Sequence, residues 1–148
     1  MSGETARMAE AGMHRTIPAL PVREMDAAVA FYTGRLGFGV LHRDGGFAVL
    51  RRDEAVLHLW ESSDEGWRER ADFAERPIRS GAESFIAGTA STRIEVIDVD
   101  GLYAELKAAE VLHPVSQGGA GDTDFGTREF ATLDRDGNLI SFFRWVAG

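Results

Sequence analysis

The 148-residue chain contains no cysteine and only four prolines, and its 16 basic side chains are outnumbered by 24 acidic ones. Without cysteine there is no disulfide, no thiolate metal ligand and no cysteine nucleophile. A formal net charge of −8 runs against a nucleic-acid partner, because neutralising phosphates takes clustered Lys and Arg. The acidic balance suits a cationic ligand and, more simply, solubility. No apolar run approaches the roughly 20 residues of a membrane span, and Met1-Ser2-Gly3-Glu4-Thr5 lacks the basic and apolar regions of a signal peptide. A cytoplasmic protein with no membrane partner is therefore expected. Also missing are His-Glu-x-x-His, Gly-x-Ser-x-Gly and a phosphate-binding loop. Asp134-x-Asp136-Gly137 has part of a calcium-loop pattern, but its glycine is misplaced and no glutamate closes it, so it reads as a hairpin turn.

What the chain does have is an internal repeat. Val22 to Ala30 lies on Val96 to Ala104 at an offset of 74, and Phe47-Ala48-Val49-Leu50 lies on Phe130-Ala131-Thr132-Leu133 at an offset of 83. Val56 to Trp60 falls on Leu139 to Phe143 in the same second register. The agreement is one of pattern: a strand-ending valine, an acidic turn and a helix start, then a pair of strands. At 44% hydrophobic residues the chain has enough for one core of ordinary size.

The elements follow from the pattern. Residues 1–15 are small and polar, an expected mobile arm. Thr16–Val22 reads as a strand whose Pro18 and Pro21 suit an edge. Asp26 is positioned to cap a helix through Tyr32 that stops near Gly37. Strands are expected over Phe38–Asp44, Phe47–Arg51 and Ala55–Glu61. The second copy gives Thr92–Val96, a helix from Asp100 to Ala109, and strands over His113–Gln117, Arg128–Leu133 and Leu139–Trp145. The fold class is α+β, one domain over residues 16–146 made of two tandem β-α-β-β-β modules at 16–61 and 90–146. Between them, residues 62–89 form a long polar connection carrying Trp67, and Gly118–Gly126 is a second flexible stretch.

This doubled module, with Ala30-Phe31-Tyr32, Leu36-Gly37-Phe38 and the closing Asp134-Arg135-Asp136-Gly137-Asn138, resembles the vicinal oxygen chelate superfamily. Gly126-Thr127-Arg128-Glu129-Phe130-Ala131 and Leu57-His58-Leu59 are most similar to segments of its bleomycin-resistance branch. The resemblance implies two modules curled into an open barrel around a concave cavity, and a homodimer with drug grooves at its interface. The mechanism it implies is sequestration of a cationic, metal-chelating glycopeptide with no bond broken. Enzymes of the superfamily hold a divalent metal with His, Glu or Gln from two strands of each module. The matching positions here are Ile17, His58, Ser91 and Ser141, of which only His58 is a good ligand. Moving the register by two residues offers Ala19, Arg93 or Glu95 and no coherent set.

Strand alternation sorts the remaining candidates. Leu57, Leu59, Ile94 and Val96 are expected beneath the helices. His58, Trp60, Arg93, Glu95, Ser141 and Phe143 are then left facing the cavity. Trp60 is the first candidate for stacking on a flat ligand, with Phe38 and Phe47 as a further wall and Trp67 from the connection. Arg93 stands about where drug binders of the family place a tryptophan; its guanidinium can stack, yet it repels a cationic tail. Arg128 and Glu129 line the groove or pair across the sheet. The expectation is a non-enzymatic, cofactor-free protein that sequesters a bleomycin-like or other planar drug, free or as its metal complex. Two alternatives stand beside it: a metal-dependent glyoxalase- or dioxygenase-type enzyme with an unusual ligand set around His58, and a fold-only interaction domain.

Overall fold

Apolar side chains at Met25, Ala28, Val29 and Tyr32 recur at the helical period and are all buried on one face of α1 (Met25–Gly34). The second module repeats the device in α2 (Val99–Ala108), where Val99, Leu102 and Leu106 point inward. The computed structural model describes residues 11–63 and 86–146. Around the helices run β1 (Ala19–Val22), β2 (Gly39–Arg43), β3 (Phe47–Arg52) and β4 (Ala55–Glu61), then β5 (Ser91–Glu95), β6 (Gly121–Asp122), β7 (Thr127–Leu133) and β8 (Leu139–Trp145).

The strands form two four-stranded mixed sheets, ordered β1-β4-β3-β2 and β5-β8-β7-β6, with β1 parallel to β4 and β5 parallel to β8. The identical order in both is the structural form of the repeat. The expected α+β architecture of two tandem modules is present, with the curled surface made of two sheets that pair no strands with each other among the described residues. In each sheet one face is apolar. Ala48, Leu50, Leu57 and Leu59 pack with α1, and Phe130, Ile140 and Phe142 pack with α2, in one continuous core.

Local chemistry moves several boundaries. The cap of α1 is Glu24, whose carboxylate accepts from the Ala27 amide at 3.2 Å, and not Asp26. Asp26 sits in the first turn, where its charge suits the helix dipole and it pairs with Arg43. Likewise Asp98 caps α2, accepting from the Gly101 amide at 2.9 Å. A Cβ at Gly101 would come to 2.3 Å from that carboxylate, so a larger residue there would displace the capping side chain. The first strand is confined to Ala19–Val22 at the sheet edge, where the missing N–H of Pro21 is tolerated.

The strand expected over His113–Gln117 does not form. Pro114 starts a single 3₁₀ turn, Pro114–Ser116, capped by the His113 ring. The Ser116 hydroxyl accepts the Ala131 amide at 2.8 Å in place of a ladder bond, and the Tyr103 hydroxyl donates to the carbonyls of Ser116 and Gln117. Strand pairing at this edge is supplied by an isolated bridge between Leu112 and Thr132 and by the two-residue β6, the latter inside the segment expected to be flexible.

The modules are joined by a buried polar junction. Asp134 and Asn138, in the β7–β8 turn, are 6% and 0% exposed. The Asp134 carboxylate accepts from the Tyr32 hydroxyl at 2.7 Å, from the Asn138 side-chain amide at 2.9 Å and from the backbone amides of Asp136 and Asn138. Asn138 also donates to the Pro21 carbonyl at 2.7 Å, tying the second module to β1. Burial, and after it the charge of Asp134 and the hydrogen bond to it, raise the Tyr32 phenol well above its ordinary 10.0. Because the folded value is the higher one, this stability is complete below the unfolded phenol's value and is lost as pH rises toward the folded one. The urea midpoint is therefore expected to fall between pH 10 and 11, by up to about 1.4 kcal/mol of stability per pH unit, and to fall less steeply in Tyr32→Phe.

Candidate functional site

The face of the first sheet turned away from α1 carries an aromatic cluster. β3 and β4 pair antiparallel, which sets Phe47 opposite Trp60 and Val49 opposite His58. The Phe47 ring lies 4.4 Å from Trp60 and 5.1 Å edge-on from His58, and His42 on β2 adds a ring at 6.0 Å. Leu57 and Leu59 point into the core, so the alternation that aims His58 and Trp60 outward is fixed by the burial of their neighbours. Trp60 remains 36% exposed on this open face. A flat, partly exposed surface backed by a second ring is what a planar ligand needs for stacking.

The second sheet presents a different surface at the equivalent place. The Arg93 guanidinium carbon lies 4.5 Å from the centre of the Phe143 ring. The group is clamped by two hydrogen bonds to Glu129, at 2.9 and 3.1 Å. Thr127 donates to the same carboxylate at 2.7 Å. Phe143 pairs with Glu95 on one side and Glu129 on the other, so Arg93 spans the ring diagonally to reach Glu129. The result is a fixed planar cation whose charge is offset by its partner. Trp145 stands edge-on to Phe143 at 5.9 Å and extends the surface.

The hydrogen bonds from Arg93, and after them that from Thr127, hold the Glu129 carboxyl below its ordinary 4.5. A depressed folded value makes the clamp complete above the unfolded value and lost only as pH falls through the lower, folded one. The Arg93 side-chain N–H resonances are accordingly expected to remain resolved and slowly exchanging at pH 5. In Glu129→Gln they should collapse toward the free-arginine position.

The remaining candidates separate. Phe38 is buried against Tyr32 at 6.1 Å between ring centres, away from the Phe47–Trp60 cluster. It and Glu95 line a cavity at the junction of the modules. Arg128 shares the strand phase of buried Phe130 and Thr132, so it points to the helix side, where it pairs with Asp100 and Asp122. Its alternation with Phe130 was the available signal. Trp67 lies outside the described residues. His42, Thr127 and Trp145 join the two faces without having been singled out by sequence; they sit where turns and strand ends leave no periodic pattern.

A metal site of the superfamily type is not supported by the donor set. In the first sheet His58 pairs with Ala19, and in the second Ser141 pairs with Arg93, so each pairing supplies at most one good ligand. Ile17 lies outside any strand, and Ser91 pairs with Leu139. Among the described residues no three His, Asp or Glu side chains are grouped as metal ligands. Nor is any described helix long and apolar enough to cross a membrane.

Two mixed sheets of identical strand order, each with its helix on one face and an open face opposite, define a paired-module fold of the glyoxalase type. The chain belongs to the Glyoxalase/Bleomycin resistance protein/Dioxygenase superfamily, whose model matches residues 12–142. It is 48% identical over 134 residues to the bleomycin resistance proteins of Geobacillus stearothermophilus and Staphylococcus aureus, covering 90% of this chain and 98% of theirs. Among solved structures it is similar to the bleomycin-binding protein of bleomycin-producing Streptomyces verticillus in complex with copper(II)-bleomycin. That similarity has a TM-score of 0.64 at 26% identity, over 92% of this chain and 97% of that one. A lactoylglutathione lyase from Agrobacterium tumefaciens shares the fold with a TM-score of 0.64 at 20% identity, over 89% of this chain and 93% of that one.

Proposed function

We propose that this protein gives resistance to a bleomycin-like glycopeptide by binding it, free or as its copper complex, and withholding it from DNA without breaking a bond. The observation that carries this reading is the 48% identity to bleomycin resistance proteins over nearly their whole length. The open faces support it chemically. Trp60 and Phe47 offer a stacking surface to a planar heteroaromatic group, and Arg93, neutralised by Glu129, offers a second flat surface. The net charge of −8 favours capture of a cationic drug at a distance.

The functional unit in this reading is a cytoplasmic homodimer. Within one chain the aromatic face of the first sheet and the Arg93 face of the second are both left partly exposed. A second copy would bring one face of each kind together and close a groove around the ligand. Sequestration requires protection in proportion to protein, with no catalytic excess. In a plasmid-scission assay with iron-activated bleomycin, protection should be complete near one chain per drug molecule. Protection by trace protein, with loss of the drug, would identify an enzyme instead.

A further inference from the structure

The junction of the modules holds a cavity of about 620 Å³, well within the range of roughly 300–1,000 Å³ of small-molecule sites. It lies beside α2 and the edge strand β5, apart from the Phe47–Trp60 cluster. Its floor is apolar, with Phe38 from the first module and Ile94, Leu102 and Phe142 from the second. Its rim is acidic: Asp53 and Glu54 from the β3–β4 turn, Glu95 from the end of β5, Asp98 from the cap of α2, and Glu105. The basic residue at this rim, Arg52, is consumed by two hydrogen bonds to Glu105 at 2.7 and 2.8 Å and one to the Leu36 carbonyl at 2.9 Å. Asp98 is engaged as the cap of α2 and Asp53 lies in the field of Arg52, whereas Glu54 and Glu95 form no salt bridge among the described residues. Glu54 and Glu95 also border a smaller cavity of about 320 Å³ that adjoins the first through Ala55 and Ile94 and is lined as well by Arg93, whose guanidinium is bound to Glu129.

An apolar floor beneath Glu54 and Glu95, neither of which forms a salt bridge among the described residues, suits a cationic amphiphile. We propose that the junction cavity is a second ligand site, for a small organic cation in which a primary amine is joined to an aromatic or aliphatic body. The body displaces water from Ile94, Leu102 and Phe142, and the ammonium lies between Glu54 and Glu95. The site draws on none of Phe47, His58, Trp60 or Glu129, and only Glu95, in strand phase with Arg93, borders the open face of the second sheet.

The test is a titration of the full-length protein with 4-phenylbutylamine and, separately, with its uncharged isostere 4-phenylbutan-1-ol, followed by methyl NMR and calorimetry at low salt. Saturable shifts of the Ile94 and Leu102 methyls are expected, with the alcohol binding about tenfold more weakly and the amine losing affinity as salt is raised. Glu54→Gln/Glu95→Gln should weaken the amine about tenfold or more, and Trp60→Ala should bind it as well as the parent chain. Equal affinity for amine and alcohol would overturn the proposal. So would shifts confined to the Val49 and Val56 methyls, or no saturable binding, as when a second copy fills the cavity. Failure of the drug titration alone would leave it standing.

Discussion

Trp60→Ala is expected to weaken binding of copper-bleomycin by about thirtyfold, or roughly 2 kcal/mol, with little change in thermal stability. Trp60 is 36% exposed, and its ring rests on Phe47 at the rim of the open face, not in the core. Truncation therefore removes a stacking surface without opening a core cavity. Trp60→Phe should recover much of the loss, since a smaller ring can still pack against Phe47. Calorimetric titration of the three proteins checks the order. Equal affinity across the series would remove the aromatic cluster from the site.

The largest effect on stability is expected from Asp134→Ala. Its carboxylate gathers the Tyr32 hydroxyl, the Asn138 side chain and two backbone amides in a region sealed from water. Removing the acceptor leaves those donors buried and unsatisfied, at a cost of about 3–5 kcal/mol. For a chain of this size that lowers the melting temperature by about 8–15 °C. The contrast with Arg52→Ala is informative. Arg52 and Glu105 also link the modules, but their side chains are 30% and 48% exposed, so that loss should stay below about 1 kcal/mol. A melting temperature for Asp134→Ala within about 2 °C of the parent's would show that the Asp134 carboxylate contributes little to holding the modules together.

Much of the fold is legible in the chain because its signals are local. The offset repeat, the buried spacing of Met25, Ala28, Val29 and Tyr32, and the alternation of Leu57 and Leu59 with His58 and Trp60 each depend on residues a few positions apart. Where pattern and fold part, a distant or competing interaction decides. Asp26 is a reasonable cap by residue type, but the apolar register begins at Met25 and leaves Glu24 at the helix mouth. His113–Gln117 has strand-like side chains, yet Pro114 lacks a donor and Ser116 replaces the ladder through its hydroxyl. The turn at Asp134–Asn138 is legible as a turn. Its role as the junction is not, since its partners Tyr32 and Pro21 lie 102 and 117 residues away.

The candidate site divides in the same way. Phe47, His58 and Trp60 follow from strand phase and meet as neighbours across β3 and β4. The pairing of Arg93 with Glu129 depends on β8 lying between their strands, which no spacing in the sequence reveals. Phe38 reads as a wall residue because it follows the helix. Its ring is instead taken up by Tyr32 in the core.

The central claim, binding without chemistry, is tested most directly by titrating the protein with copper-bleomycin in the calorimeter and then recovering the drug for mass spectrometry. The account predicts saturation at one drug molecule per chain and recovery of the drug at unchanged mass after prolonged incubation. A drug of altered mass, or the absence of any saturable heat, would contradict it.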